Sequence, residues 1–263
     1  MSHLSSFREG LRINLRVIHA LLMREVITRF GRQNLGVLWL IGEPALFTLG
    51  ITGLWAAGNL NHGSSLPIVA FAITGYSSVL VWRNTATMCN QAISQNFNLL
   101  YHRNVQVLDV FLTRILLELA GATSSFITLA IVFTMLGLME PPDDLLTVIC
   151  GWLLLAWFGA SLGLALGSAS AYSELVNRFW HPVSYLLFPL SGAAFMVDYL
   201  PQAAQKAVLI LPMVHGVELL RDGYFGDKVR THYDIAYMAV ICLVLNFIGL
   251  ILARDAGRRV EPP

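Results

Sequence analysis

The sequence predicts an all-α integral membrane protein, and three observations carry that expectation. Hydrophobic residues make up 56% of the 263 positions and charged residues 13%, against about 45–50% and about 25% in soluble domains. The apolar residues are gathered into runs, several of which reach the roughly 20 residues needed to cross a bilayer. Arginine and lysine fall mainly on alternate connections between those runs. The expected architecture is one transmembrane domain over residues 1–263. It has an N-terminal amphipathic interfacial helix, six transmembrane helices, and two short re-entrant helices on the outer face before the last span.

Residues 5–33 read as the interfacial helix. Arg8, Arg12 and Arg16 recur every four positions and His19 extends the stripe, while Leu11, Leu15, Val17, Ile18, Leu21 and Leu22 fall opposite. A basic face against an apolar one suits the headgroup layer of an anionic leaflet. Glu25 and Arg29 stand in the favourable i,i+4 order. The first 34 residues carry six arginines and no apolar core. No cleavable signal is therefore expected, and the first span targets the chain.

The spans are expected at residues 36–57, 66–88, 115–138, 145–168, 179–197 and 235–253. The second carries Arg83 and Asn84, and the fifth carries Pro182 and Pro189. Orientation follows from Arg and Lys. Thirteen of the seventeen lie before the first span, between the second and third with Arg83 counted there, between the fourth and fifth, or after the sixth. The short connections at 58–65 and 139–144 have none, and the latter holds Glu140, Asp143 and Asp144. Both termini are thus expected in the cytoplasm. The connection at 90–114 contains no glycine or proline and should be helical; 170–181 is a shorter polar version of it. The outer connection, 198–234, holds two segments of about 10–12 residues bracketed by Pro201, Pro212 and Gly223, too short to span. Helical pieces packed on protein satisfy their backbone there, and they would form an outer gate.

Several residues stand out within this frame. Gly159, Gly163 and Gly167 repeat every four positions in the fourth span, the pattern that brings helix backbones together, within one chain or at a dimer seam. The same run spells G-x-S-x-G around Ser161. A hydrolase elbow needs a strand–turn–helix, and this serine sits in a continuous apolar helix. Glu43, beside Gly42 and Pro44, is a carboxylate at membrane depth and reads either as a lining residue or as a hydrogen-bonded packing residue. Glu118 is expected to pair with Arg114 one turn away. His215, Glu218, Arg221 and Asp222 share the second outer helix. His215 and Glu218 have the spacing of two metal ligands, but no second pair accompanies them, so no metal is expected. Cys89, Cys150 and Cys242 have no metal or disulfide spacing. The two lysines, Lys206 and Lys228, do not end a GxxxxGK phosphate loop. The chain is therefore expected to be no enzyme and to carry no cofactor.

Three blocks carry a resemblance: LMREVITRFGRQNLGVLWLIGEP at 22–44, YHRNVQVLDVFLTRILLE at 101–118 and LPMVHGVELLRDGYF at 211–225. In these blocks, their order and the six-span plan, the chain resembles ABC-2 type transporter permeases. It is most similar to the capsular polysaccharide export branch, with the O-antigen and teichoic acid exporters as alternatives. The resemblance implies a homodimer with two copies of a separate ATP-binding cassette subunit, which carries the ATP and Mg. It also implies a bacterial inner-membrane location, a lipid-linked polysaccharide cargo, a periplasmic co-polymerase or adaptor, and an outer-membrane channel; nucleic acid is not among the partners. By the same resemblance, the N-terminal helix and the 90–114 connection would contact the ATPase. The 198–234 helices, with His215, Glu218, Arg221 and Asp222, would form the periplasmic gate. Arg24, Arg29 and Arg32 would meet a lipid phosphate or acidic sugar, since guanidinium binds such groups bidentately; the plainer reading is an anchor to anionic lipid. Trp39, Glu43, Trp55, Tyr76, Trp82, Phe97 and Tyr101 are candidates to line a conduit along which sugar faces slide, with interfacial anchoring as the plainer reading for the tryptophans. A rival class is a membrane enzyme acting on lipid-linked glycan, centred on His215, Glu218 and Asp222.

Overall fold

A computed structural model describes residues 2–30, 66–100 and 105–260, with positions 42, 45–46, 49–50 and 53–54. Most of the expected first span, with Trp39, Glu43 and Trp55, lies outside the described residues, as do Arg32, Tyr101 and the side chain of Arg29.

Among the described residues every regular element is helical. In chain order these are α1 (Ser2–Phe30), α2 (Ile68–Asn90), α3 (Ala92–Gln95), α4 (Phe97–Leu100), α5 (Val107–Met135), α6 (Leu145–Ser170), α7 (Glu174–Leu190), α8 (Gln202–Val208), α9 (Pro212–Phe225) and α10 (Ile235–Val260), with 3₁₀ turns at Val197–Tyr199 and Gly226–Lys228. Among the described residues, three helices are long and apolar enough to cross a membrane: Val107–Met135, Leu145–Ser170 and Ile235–Gly257. The bent pair α8 and α9 turns through 107° at its break.

Local chemistry sets the boundaries. Asp109 accepts from the Gln106 N–H at 3.0 Å and so starts α5 at Val107, eight residues before the expected third span. The expected third span begins just after Arg114, at 115, with a helical connection before it. Here Arg114 is paired inside the protein, so the helix runs straight through it. Asp144 caps α6, accepting from the Leu146 N–H at 2.9 Å. Ser173 caps α7, accepting from the Leu175 N–H at 3.2 Å. That helix ends at Leu190 rather than 197, because Gly192 turns the chain at φ 84°, a conformation that glycine adopts without the steric cost of a Cβ.

The α6 helix is the hub and packs against α2, α9 and α10. Its glycine stripe answers the question of partner. A Cβ at Gly159 would lie 2.8 Å from Trp82 Cα, and one at Gly167 would lie 2.6 Å from Cys89 O and Phe111 Cε1. The stripe therefore seats α6 against α2 of the same chain. Gly151 does the same toward α9, with Leu220 N 2.6 Å from where its Cβ would stand. Close approach of this kind gives dispersion contacts over whole helix lengths. The α2 helix, which holds Arg83 and Asn84 within the expected second span, is buried at most positions from Ala70 to Asn90 and sits among α5, α6 and α7.

Candidate functional site

Two polar clusters stand at opposite ends of α2 and α6. At the end where α2 meets α3, α1 is clamped onto the bundle. Arg114 of α5 forms an ion pair with Glu25 of α1 at 2.5 Å, with side chains only 6% and 13% exposed. The second terminal nitrogen of Arg114 donates to Gln95 Oε1 at 2.8 Å. Arg24 Nη1 donates to Asn96 Oδ1 at 3.2 Å, and Asn96 Nδ2 donates to Ala92 O at 2.9 Å. The α1 helix is thus tied to the 90–114 segment by two arginines. Glu25 takes Arg114, from a helix distant in sequence; its expected i,i+4 partner, Arg29, has its side chain outside the described residues. A buried pair of this kind offsets its desolvation only when extra hydrogen bonds support it, and Gln95 supplies one.

Beside the clamp, a cleft of about 650 Å³ opens between the α2–α4 turns and the α6–α7 turn. Asn90, Ser94, Phe97, Ser170, Asn177 and Arg178 are on its wall. Asn90 Nδ2 donates to Asn177 Oδ1 at 2.9 Å. A polar seam between α2 and α7 runs on from the cleft. Gln91 Nε2 lies 3.3 Å from His181 Nε2, Trp180 Nε1 donates to Thr87 Oγ1 at 2.9 Å, and the Arg83 guanidinium stacks over the Tyr185 ring at 4.6 Å. The sequence reading missed this seam because its residues come from two segments about ninety positions apart. The signal present was the amide-rich start of the 90–114 connection, with Asn177 as the one amide in the other.

The opposite end is built on α9. Arg221 is fully buried. Its Nη1 donates to Gly192 O at 2.6 Å and Phe195 O at 2.7 Å, its Nη2 donates to Ala193 O at 2.6 Å, and its guanidinium lies 3.9 Å from the Phe71 ring centre. These carbonyls belong to the turn that ends α7, so one cation caps a helix C-terminus from a different element. Glu218, also fully buried, accepts from the Val197 N–H at 3.2 Å and the His232 N–H at 3.0 Å. His215 Nδ1 accepts from the Asp234 N–H at 2.9 Å, and its Nε2 lies 2.8 Å from Leu209 O. With Nδ1 an acceptor, Nε2 carries the proton, which is the neutral tautomer. Asp222 accepts from Thr231 Oγ1 at 2.7 Å and from the Tyr233 hydroxyl at 3.1 Å.

The four polar residues of α9 therefore do not converge on one centre. Each holds a different piece of the surrounding chain, and three of them bond mainly to backbone. This corrects the reading of His215, Glu218 and Asp222 as the polar centre of an enzyme. At the rim of the same end, Lys228 bonds Glu140 at 2.6 Å. That bond and its charge hold the Glu140 carboxyl below the usual glutamate range.

Of the aromatic candidates, Trp82 is fully enclosed and packs against Phe158, with ring centres 6.1 Å apart. Gly159 opens the space beside its backbone. It is a core residue of this chain rather than a wall of a conduit. Tyr76 is buried and meets Phe188 edge to face at 6.1 Å. Phe97 is 44% exposed, on the cleft.

Comparison with known proteins bears on both ends. The profile of the ABC-2 type transporter family matches residues 16–225. The chain is 44% identical to the capsule polysaccharide export inner-membrane protein CtrC of Neisseria meningitidis serogroup A, over 99% of this chain and 98% of that one. It is 42% identical to the capsule polysaccharide export inner-membrane protein BexB of Haemophilus influenzae, over 98% of this chain and 97% of that one. It is 27% identical to the polysialic acid transport protein KpsM of Escherichia coli, over 94% of this chain and 96% of that one.

Proposed function

The chain belongs to the ABC-2 type transporter family, and from that premise we propose that it is the permease subunit of an ATP-driven exporter of lipid-linked capsular polysaccharide in a bacterial inner membrane. The single observation that carries this reading is the end-to-end correspondence with CtrC at 44% identity. Conservation of order across the whole length makes a shared transport task the economical reading, where a shared fold alone would not. It favours the capsule branch over the O-antigen and teichoic acid branches.

In this reading two copies of the chain enclose the path, and each works with one copy of a separate ATPase that binds ATP and Mg. A periplasmic adaptor and an outer-membrane channel receive the polymer. Both termini face the cytoplasm, as the arginine distribution supports. The ATPase acts on α1 and on the turns after α2, and the Glu25–Arg114 ion pair ties those two elements into one lever. The α8–α9 pair forms the periplasmic gate, with Arg221 and Glu218 as its fixed frame. Arg24, Arg29 and Arg32 receive the lipid phosphate or first acidic sugar from the inner leaflet. Trp39, Glu43, Trp55 and Tyr101 remain conduit candidates.

The test is a deletion of the chain in its native host, complemented by wild type or by the double variant Arg29→Ala, Arg32→Ala. Deletion is expected to abolish surface polysaccharide. The double variant should insert normally, co-purify with an ATPase of about 25 kDa carrying a GxxxxGK[ST] loop, and fail to restore the surface polymer. Normal export by that variant would remove the phosphate role of these arginines, and normal surface polymer in the deletion strain would remove the exporter reading itself.

A further inference from the structure

We infer that Arg83, with Asn84 beside it, binds an anionic group at membrane depth, a carboxylate or phosphate carried by the exported glycan or its lipid anchor. The inference rests on the exporter reading and adds to it a site apart from Arg24, Arg29 and Arg32, with a stated ligand chemistry.

Arg83 stands near the middle of the bundle's length, not at its edge. Its neighbour Trp82 lies against Gly159, whose added Cβ would come 2.8 Å from Trp82 Cα. Gly159 is close to the midpoint of α6, a helix long and apolar enough to cross a membrane. On the α2–α7 side, Arg83 lies between the contact of Gln91 with His181 and that of Tyr76 with Phe188. Tyr185, which its guanidinium covers, is about three turns into α7, roughly 16 Å from the start of that helix. Helical side chains lean toward the N-terminus of their helix, so Arg83 leans away from the Asn90 end of α2 and deeper along the bundle.

A charge at that depth calls for a partner or for water. The two buried arginines have partners. Arg114 holds Glu25 and Gln95, and Arg221 donates to the carbonyls of Gly192, Phe195 and Ala193. Among the described residues Arg83 has no carboxylate and donates no hydrogen bond; its contact is the Tyr185 ring, 4.6 Å from guanidinium carbon to ring centre. A ring attracts the cation but supplies no oxygen to its N–H fork. Asn84, next in sequence and also partly exposed, has an amide that makes no hydrogen bond among the described residues. Arg83 is partly exposed and Tyr185 is 65% exposed, so a ligand meets them on the surface of this chain and no gap between α2 and α7 is needed.

The ligand that suits this set is an anion. A sugar hydroxyl leaves the charge uncompensated, whereas a carboxylate or phosphate takes the fork bidentately in a medium where the attraction is stronger than in water. The Tyr185 ring steadies the cation between one anionic group and the next. The phosphates of the bilayer stay in the headgroup layer, about half of the roughly 30 Å core away. A cargo that crosses the membrane brings its own anionic groups past this depth.

The experiment uses the full chain with its partners in cells that make the polymer. Arg83→Gln removes the charge, and Arg83→Lys keeps the charge without the fork. Arg83→Gln should lower surface polysaccharide by about tenfold or more, with Arg83→Lys in between, while both insert and co-purify with the ATPase. To read contact directly, Tyr185 is replaced by p-benzoylphenylalanine and the cells are irradiated. The expected product is an adduct that carries cargo, is absent from a strain blocked in glycan synthesis, and is lost when Arg83→Gln is added. After glycan hydrolysis, a lipid remnant on the adduct assigns the phosphate of the anchor, and a sugar remnant alone assigns an acidic unit of the chain. An adduct with bilayer lipid, unchanged in the blocked strain, would overturn the inference. Restoration of export by Glu43→Gln in the Arg83→Gln background would overturn it too, by making Arg83 the counter-ion of the first span. Should Arg83→Gln fail to accumulate, Arg83→Lys carries the test, and export and adduct both unchanged in it would count as refutation. Wild-type export by Arg83→Gln, in a background where deletion of the whole chain abolishes it, would sink the site and leave the exporter reading standing.

Discussion

The two ends of the bundle use the same residue types for opposite purposes. At the α9 end, a buried Arg and a buried Glu bond to backbone groups of turns, at Gly192, Ala193, Phe195, Val197 and His232. Their partners cannot rotate away, so the end is rigid. At the α3 end, polar side chains bond to other side chains: Arg114 to Glu25 and Gln95, Arg24 to Asn96, Asn90 to Asn177. Such partners can exchange when α1 or the α2–α4 turns shift. A side chain that holds backbone is a fastening, and a side chain that holds another side chain is a joint. The contrast is between an end fastened through backbone groups and an end fastened through side chains.

The largest effect is expected from Arg221→Met. It leaves several buried carbonyls without donors and Glu218 without its neighbouring cation, a loss at the upper end of about 3–5 kcal/mol. The measurement is the thermal midpoint of detergent-solubilised protein, and a variant as stable as wild type would break the frame assignment. Glu25→Ala should cost somewhat less, about 3 kcal/mol locally, by taking from the buried Arg114 its carboxylate partner on α1. Its signature is release of α1, read as faster hydrogen exchange confined to α1 and the start of α5. The double change Glu25→Met, Arg114→Met should recover most of that loss, since a buried ion pair and an apolar pair are often near equal.

Gly167→Leu is expected to cost about 1–3 kcal/mol by overpacking, because its Cβ meets Cys89 O at 2.6 Å. Gly10→Leu is the control, since nothing lies within 4 Å of its added Cβ, and it should leave stability unchanged. His215→Ala should cost about 1–2 kcal/mol through the unpaired Asp234 N–H and Leu209 carbonyl while export continues. Export lost at intact stability would give His215 a task beyond holding the chain. The smallest effect is Lys228→Ala. Because Lys228 lowers the Glu140 pKa, the stability that this bond contributes is present above the ordinary glutamate pKa, about 4.3. It is lost as pH falls through the depressed value. The variant should therefore differ slightly from wild type at neutral pH and converge with it in acid. A difference that grew in acid would reverse the sign of the argument.

Much of the architecture could be read from residue order. The α1 helix, the α6 and α10 spans, and the pair of short helices bracketed by Pro201 and Pro212 all stand near their expected bounds, because apolar run length, proline and capping residues act locally. The glycine repeat was equally plain. Tertiary structure decided what those local signals leave open. A charge marks a helix end only if it must reach water, and Arg114 does not, because Glu25 comes to it from nearly ninety residues away. A glycine repeat says that some backbone will come close; the packing of α2 into it decides which one. A tryptophan in an apolar helix has the same local pattern whether it faces a conduit or a core, and only the α2–α6 contact put Trp82 inside. Four polar residues on one helix face look like a site until the turns around them are in position. Run length and capping act within a few residues, so the order of the chain sets them; burial and pairing depend on what folds back from far away, so only the packed chain does.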